Sequence, residues 1–150
     1  MRVRNFESQL WLPQSRDKVF AFFSDAQNLD LITPPWVHFR TVTPGPMEMR
    51  LGTLIDYKLR IHCFPVRWRS EITAWEPPVR FVDEQVRGPY RLWIHEHNFA
   101  ERDGSTLVCD RVQYAVPFDW LAHPLLVRRD VERIFRYRND MLRRRFAVTA

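Results

Sequence analysis

The chain predicts an α+β fold in which a curved, seven-stranded antiparallel sheet wraps a long C-terminal helix, with two short helices after the first strand. Three observations predict it. Residues 36–116 alternate between apolar and polar with a period of two, broken at Pro44-Gly45-Pro46, Phe64-Pro65, Pro77-Pro78, Gly88-Pro89 and Asp103-Gly104. Two capped segments with helical spacing precede that run. After Pro117 the helical period returns, with Val127, Val131, Ile134, Phe135, Met141 and Leu142 in one stripe.

Phe6 to Leu12 alternate and stop at Pro13, which makes a first strand. Ser15 caps a helix with Asp17 in its first turn and Val19, Phe20 and Phe23 on one face. Ser24-Asp25 caps a second, buried through Leu29 and Ile32, and Pro34-Pro35 ends it because the residue before a proline avoids the helical region. Six strands follow over about 36–43, 53–63, 66–76, 79–87, 90–102 and 105–116, and Asp103-Gly104 is the clearest hairpin turn among them. Residues 118–123 lead into a helix of more than twenty residues starting near Pro124. Its apolar stripe needs a large surface to lie on, and the sheet is the candidate. With no repeat, linker or low-complexity segment, residues 1–150 form one domain.

Composition narrows the function classes. A hydrophobic content of 45% with 14% aromatics suits a globular chain with side chains to line a cavity as well as fill a core. The net charge of +5 is almost all arginine, since Lys18 and Lys58 are the only lysines. Those arginines are spread over strands and helix without a recognition motif, so no nucleic acid is expected as a partner, and protein partners are left open. Cys63 and Cys109 lack metal-type spacing and read as reduced thiols. The N-terminus lacks a signal-peptide core, and the longest wholly apolar run, Val19 to Phe23, is too short to span a bilayer. A cytoplasmic protein without membrane insertion is expected.

The informative stretch is Gly88 to Phe99. On a strand Trp93, His95, His97 and Phe99 share one face. Neighbouring inner faces read as Ile55, Tyr57, Leu59 and Ile61, then Trp68, Ser70, Ile72 and Ala74, and in the last strand Thr106, Val108, Asp110, Val112 and Tyr114. In 79–87 apolarity alone favours Val82, Glu84 and Val86 over Phe81, Asp83 and Gln85. If the second set faces inward, Asp83, Gln85, His95, His97, Asp110 and Tyr114 cluster around Trp93 and Phe99. Such a cluster satisfies itself by hydrogen bonds, orients a ligand, or supplies a histidine base, His95 or His97, oriented by Asp110 with Tyr57 or Tyr114 as proton donor. A metal would need Asp83 or Asp110 beside the two histidines, and His-x-His alone does not call for one, so no metal or cofactor is assigned. No nucleophile is marked, since both cysteines fall on outward faces and no serine sits in Gly-x-Ser-x-Gly.

The order of elements, the Ser15 to Asp25 region with Val19-Phe20, the Thr33-Pro34-Pro35-Trp36 segment, Gly88-Pro89-Tyr90 before Trp93, His95, His97 and Phe99, and Asp110-Arg111-Val112-Gln113-Tyr114 before Pro117 together resemble the SRPBCC superfamily, also called START-like or polyketide cyclase/dehydrase-like. The match covers the whole chain. It is similar to the small single-domain bacterial members whose domain is also found fused to epimerase-like proteins described as cell-division inhibitors. The resemblance implies a helix-grip fold with a ligand cavity between sheet and helix. It also implies that Asp83 and Gln85 point inward, since Phe81-x-Asp-x-Gln before Gly88-Pro89 looks like part of the same pattern. The expected function is binding of a hydrophobic or aromatic, lipid-like or polyketide-like molecule, with Tyr57, Trp68, Ile72, Trp93 and Phe99 as walls, Gln85, His95, His97 and Asp110 orienting its polar end, and Asp83 and Tyr114 also counted among the ligand-binding residues. The alternatives are a cyclase, dehydratase or hydrolase with His95 or His97 and Asp110 as catalytic pair, and an interaction module using the arginine-rich helix.

Overall fold

Strand β1 (Arg4–Leu12) alternates exposed residues, Asn5, Glu7, Gln9 and Trp11, with inward ones that end in Leu10 and Leu12, and it pairs antiparallel along its length with the last strand, β7 (Ser105–Ala115). Between them in sequence lie β2 (Arg40–Thr41), β3 (Leu54–Ile61), β4 (Phe64–Glu76), β5 (Arg80–Arg87) and β6 (Leu92–Arg102). The sheet order is β1-β7-β6-β5-β4-β3-β2, so β2 to β7 form an antiparallel meander and β1 closes beside β7. This computed structural model describes residues 1–45, 49–119 and 126–147.

Helix α1 (Arg16–Phe23) starts where Ser15 Oγ accepts the Lys18 N–H at 3.4 Å. It buries Val19, Phe20 and Phe22, while Phe23 stays partly open at the edge of the core. The second predicted helix is a 3₁₀ segment, Ala26–Ile32, capped by Asp25, whose carboxylate accepts the Gln27 N–H at 3.0 Å. A predicted strand over 36–43 shrinks to Arg40–Thr41. Pro34 and Pro35 start a second 3₁₀ turn, Pro35–Val37, and His38 then takes a left-handed φ of 49°, which sends the chain out of extended geometry. Trp36 therefore lies against the C-terminal helix, 5.7 Å from the Tyr137 ring and beneath the Arg133 guanidinium at 4.8 Å.

That helix, α2 (Arg128–Arg145), presents Val131, Phe135, Arg138 and Leu142 to the sheet. Its predicted start near Pro124 lies outside the described residues. Leu142 and the following Phe146 join the main core with Leu12, Val19, Phe20, Phe22, Ile32, Ile55, Ile72, Phe81, Phe99 and Val108. Val131 and Phe135 form a second core with Val112 and Tyr114. In β4 a register shift between Ile72 and Ala74 resets the alternation, so that Trp75 packs at a tilt against Phe20 and Phe81, ring centroids 5.3 and 5.7 Å apart, where simple period two predicts Ala74.

Gln85 was expected to face a ligand, and both ends of its amide instead hold the β5–β6 turn. Its Nε2 donates to the Tyr90 carbonyl at 2.7 Å, and the Tyr90 N–H donates to its Oε1 at 3.0 Å. A Cβ at Gly88 would run into this side chain, which explains the glycine of Gly88-Pro89. Gln85→Ala removes both bonds, and urea unfolding is expected to show a loss of about 1–3 kcal/mol.

Candidate functional site

Bulky side chains on α1, β3, β4 and β6 and the half of α2 that bears Val131 and Phe135 hold the helix off the sheet, leaving a cavity of about 490 Å³. Of the residues expected to form the site, Tyr57, Trp68, Ile72, Asp83, Trp93, His95 and His97 line it. The others lie behind the wall. Phe99 is packed among Phe20, Phe23 and Phe81, and Tyr114 belongs to the second core beside Tyr90 and Trp93. Asp110, 1% exposed, sits beneath His95.

The pleat places His95 opposite Asp83 and Val112, and His97 opposite Phe81 and Asp110. The hydrogen bonds run diagonally across this grid. His95 Nε2 meets Asp110 Oδ1 at 2.7 Å, and His97 Nε2 meets Asp83 Oδ2 at 2.6 Å. The second nitrogen of each ring faces the other carboxylate at longer range, with His95 Nδ1 4.0 Å from Asp83 Oδ2 and His97 Nδ1 3.6 Å from Asp110 Oδ1. His97 Nδ1 is buried and has no hydrogen-bond partner. The two imidazoles stack at 3.7 Å and 23°, and Phe81 continues the stack on His97 at 4.1 Å and 12°. Ring packing therefore fixes the plane of each imidazole, and the carboxylates fix which nitrogen carries hydrogen.

Arg138 is the residue that the sequence reading missed. It reaches Asp110 Oδ1 with one terminal nitrogen at 3.4 Å and lies between the rings of Phe23 and Phe135, 5.2 and 5.5 Å from their centroids. A signal for it existed: Arg138 stands in the Val131, Phe135, Leu142 stripe, where a charge must find a partner once buried. Burial pushes the Asp110 carboxyl upward, but the Arg138 charge, the His95 hydrogen bond and the neighbouring imidazoles outweigh it and hold Asp110 well below the usual carboxylate range. Burial likewise raises Asp83, and its bond to His97 with the nearby His95 and Arg138 charges lowers it overall. His97 moves from 6.5 down to about 4, chiefly through burial and then His95, against the pull of Asp83 and Asp110. At neutral pH His97 is a neutral ring donating Nε2–H to an ionised Asp83.

Asp83, His95 and His97 bring three metal-type ligand atoms within 4.8 Å of one another. Their arrangement suits a metal poorly. Lone pairs lie in the ring plane, so stacked imidazoles aim them side by side rather than at one point, and a shared ion would need one ring to turn and the His97–Asp83 bond to break. What the arrangement offers chemically is an oriented base: with Nε2 held by Asp110, His95 keeps Nδ1 for the cavity it lines. Tyr57, whose ionisation is suppressed first by burial and then by the charges of Asp83 and Asp30, stays a protonated hydroxyl in the cavity lining, on strand β3. Exposed Arg60 and Arg133, with His62 bonded to Asp130 at 2.7 Å, stand at the solvent side of the cavity.

Two outcomes follow from this geometry. Between pH 6.5 and about 4 the unfolded chain takes up a proton at position 97 that the folded protein refuses, so folding stability falls as pH falls, by about 3 kcal/mol over that span. Below it, the depressed carboxylates extend the loss, because they stabilise the fold above their unfolded value and lose that effect as they are protonated. Urea unfolding across pH 7 to 4 should show this decline, and His97→Gln should flatten it. Separately, Arg138→Met leaves Asp110 buried with one cation fewer and is expected to cost about 3 kcal/mol by the same measurement at pH 7.

A family model described as polyketide cyclase / dehydrase and lipid transport matches residues 12–143. No curated protein matches the chain. Among solved structures, a protein from Chromobacterium violaceum aligns with a TM-score of 0.76 at 11% identity, over 97% of this chain and 99% of its own. The major latex-like protein 151 of Panax ginseng aligns at 0.71, also 11% identical, over 97% and 99%. A point mutant of norcoclaurine synthase from Thalictrum flavum, in complex with a transition-state analogue, aligns at 0.67 and 13% identity over 94% of each chain. These likenesses share the helix-grip arrangement of sheet and C-terminal helix found here. The chain belongs to the polyketide cyclase/dehydrase and lipid-transport family, of SRPBCC type.

Proposed function

We propose that this protein binds a hydrophobic or aromatic small molecule between sheet and helix, its apolar body against Trp68, Ile72, Trp93 and Phe135 and its polar end toward Asp83 and His95. The observation that carries the reading is the cavity of about 490 Å³, of ligand size, with aromatic walls and a few convergent polar groups. The family's description, which includes lipid transport, supports it. Two free cysteines and the lack, among the described residues, of a helix able to cross a membrane support a cytoplasmic setting.

A second reading is favoured by the His95–Asp110 pair. With Nε2–H fixed on Asp110, Nδ1 can take a proton from a bound substrate while the Tyr57 hydroxyl polarises or protonates an oxygen, which is the equipment of a cyclase, dehydratase or hydrolase. The structural neighbour crystallised with a transition-state analogue shows that the fold can house a reaction. The arginine-rich outer face of α2 supports an interaction module less, because Arg128 pairs with Glu132, Arg143 with Asp140, and Arg133 and Arg145 cover Trp36 and Phe22.

Trp68 and Trp93 line the cavity, so their fluorescence reports occupancy. Titration with a neutral apolar aromatic probe such as N-phenyl-1-naphthylamine is expected to saturate at one site, and Ile72→Trp, which fills the cavity, is expected to weaken it at least about tenfold. Absence of saturable binding, or binding indifferent to Ile72→Trp, overturns the reading. If the bound compound is turned over and Asp110→Asn abolishes turnover with affinity kept, the second reading replaces the first.

A further inference from the structure

The buried cluster satisfies most of its polar atoms within the protein, and among those it leaves over is a carboxylate oxygen of a residue in the cavity wall. Asp83 Oδ2 is held by His97 Nε2 at 2.6 Å, but Asp83 Oδ1 has no hydrogen-bond partner among the described residues. The Asp83 side chain is 21% exposed, against 2% for Asp110, and it is part of the cavity wall. Ile72 and His95 lie opposite it on the neighbouring strands, and the same wall includes Tyr57, Phe81 and Trp93. An ionised oxygen set in such a wall requires a hydrogen-bond donor, and a ligand that displaces water from it must bring one.

The charge balance points the same way. Asp83 and Asp110 contribute two negative charges and Arg138 one positive, while His97 is neutral at pH 7. A proton on His95 would bring the cluster only to neutrality, never to a positive charge. Arg138 also lines the cavity, but its charge is already set against Asp110 at 3.4 Å and its guanidinium lies over the faces of Phe23 and Phe135, so an anion drawn to it would still meet the charges of Asp110 and Asp83. A ligand carboxylate beside Asp83 would place two anions together with poor solvation, whereas a hydroxyl or ammonium group supplies the missing donor.

Resting on the binding function proposed above, we propose that Asp83 Oδ1 is the polar anchor of the cavity and selects an aromatic or alicyclic molecule ending in a proton donor, a hydroxyl or an amine, over the corresponding carboxylic acid. Asp83 is then the specificity-determining residue, and His97, which holds Oδ2, positions it.

A matched series with one apolar body tests this: 2-naphthol, 2-(aminomethyl)naphthalene and 2-naphthoate, titrated into the wild-type protein at pH 7 by calorimetry. The alcohol and the amine are expected to bind at least about tenfold more tightly than the acid. Asp83→Asn is expected to narrow that gap, chiefly by improving the acid. If that variant does not fold, the wild-type series decides alone. Equal binding of all three, or preference for naphthoate, overturns the proposal and leaves the binding function standing. Preference for naphthoate that is lost in Arg133→Ala would assign the polar end to the solvent side of the cavity instead. Binding of none of the three overturns the binding function and the anchor with it.

Discussion

A carboxylate that is 1% exposed and ionised is the constraint around which this protein is arranged. Removing such a charge from water costs several kcal/mol unless partners replace the lost solvation. Asp110 has two, His95 within the sheet and Arg138 from α2. The second ties the helix to the sheet at a definite rotation and height, because one terminal nitrogen must reach a single oxygen. The helix is then anchored twice: at Val131, Phe135 and Arg138 over β6 and β7, and at Leu142 and Phe146 in the main core. A helix fixed at those points cannot settle onto β3, β4 and β5, and the gap that remains is the cavity.

Within the sheet, the order of the cluster comes from register. Directly opposed pairs put Phe81 beside His97 and Asp83 beside His95, yet each imidazole bonds to the carboxylate on its diagonal. The consequence is a stack of Phe81, His97 and His95, in which the middle ring is shielded on both faces. That shielding explains why His97 resists protonation although it touches an anion: burial and the neighbouring imidazole outweigh Asp83. His97 thus serves as a neutral orienter, and the ring with a nitrogen left for the cavity is His95.

The sheet and its inner face were legible because a two-residue period survives wherever one face is buried. It failed in informative places. On β5 the inward residues Asp83 and Gln85 are polar, so the apolarity count pointed to Val82, Glu84 and Val86, and only the resemblance of Phe81-x-Asp-x-Gln to a family pattern corrected it. Even then, alternation could not show that Gln85 bends toward the Tyr90 backbone while Asp83 meets the cavity. The β4 register shift has no glycine or proline to announce it, and β2 was overestimated because Trp36 to Val42 are apolar enough for a strand while the prolines before them start a 3₁₀ turn. Arg138 was overlooked for a different reason. Among so many surface arginines its charge suggested solvent, although its place between Phe135 and Leu142 puts it on the buried stripe.

The cluster also separates what holds the fold from what is left for a ligand. His95 Nε2, His97 Nε2, Asp83 Oδ2 and Asp110 Oδ1 face one another across three strands, and the hydrogen bonds between them are needed whether or not the cavity is occupied. Asp83 Oδ1 and His95 Nδ1 take no part in that network. A polar group that the protein itself needs is enclosed, as Asp110 is; one that remains open in an apolar wall carries a standing desolvation cost that folding alone does not require. The two acids are thus alike in charge and opposite in role. Asp110 stabilises the sheet–helix junction, and Asp83, part of the cavity wall, is the acid proposed to meet a ligand.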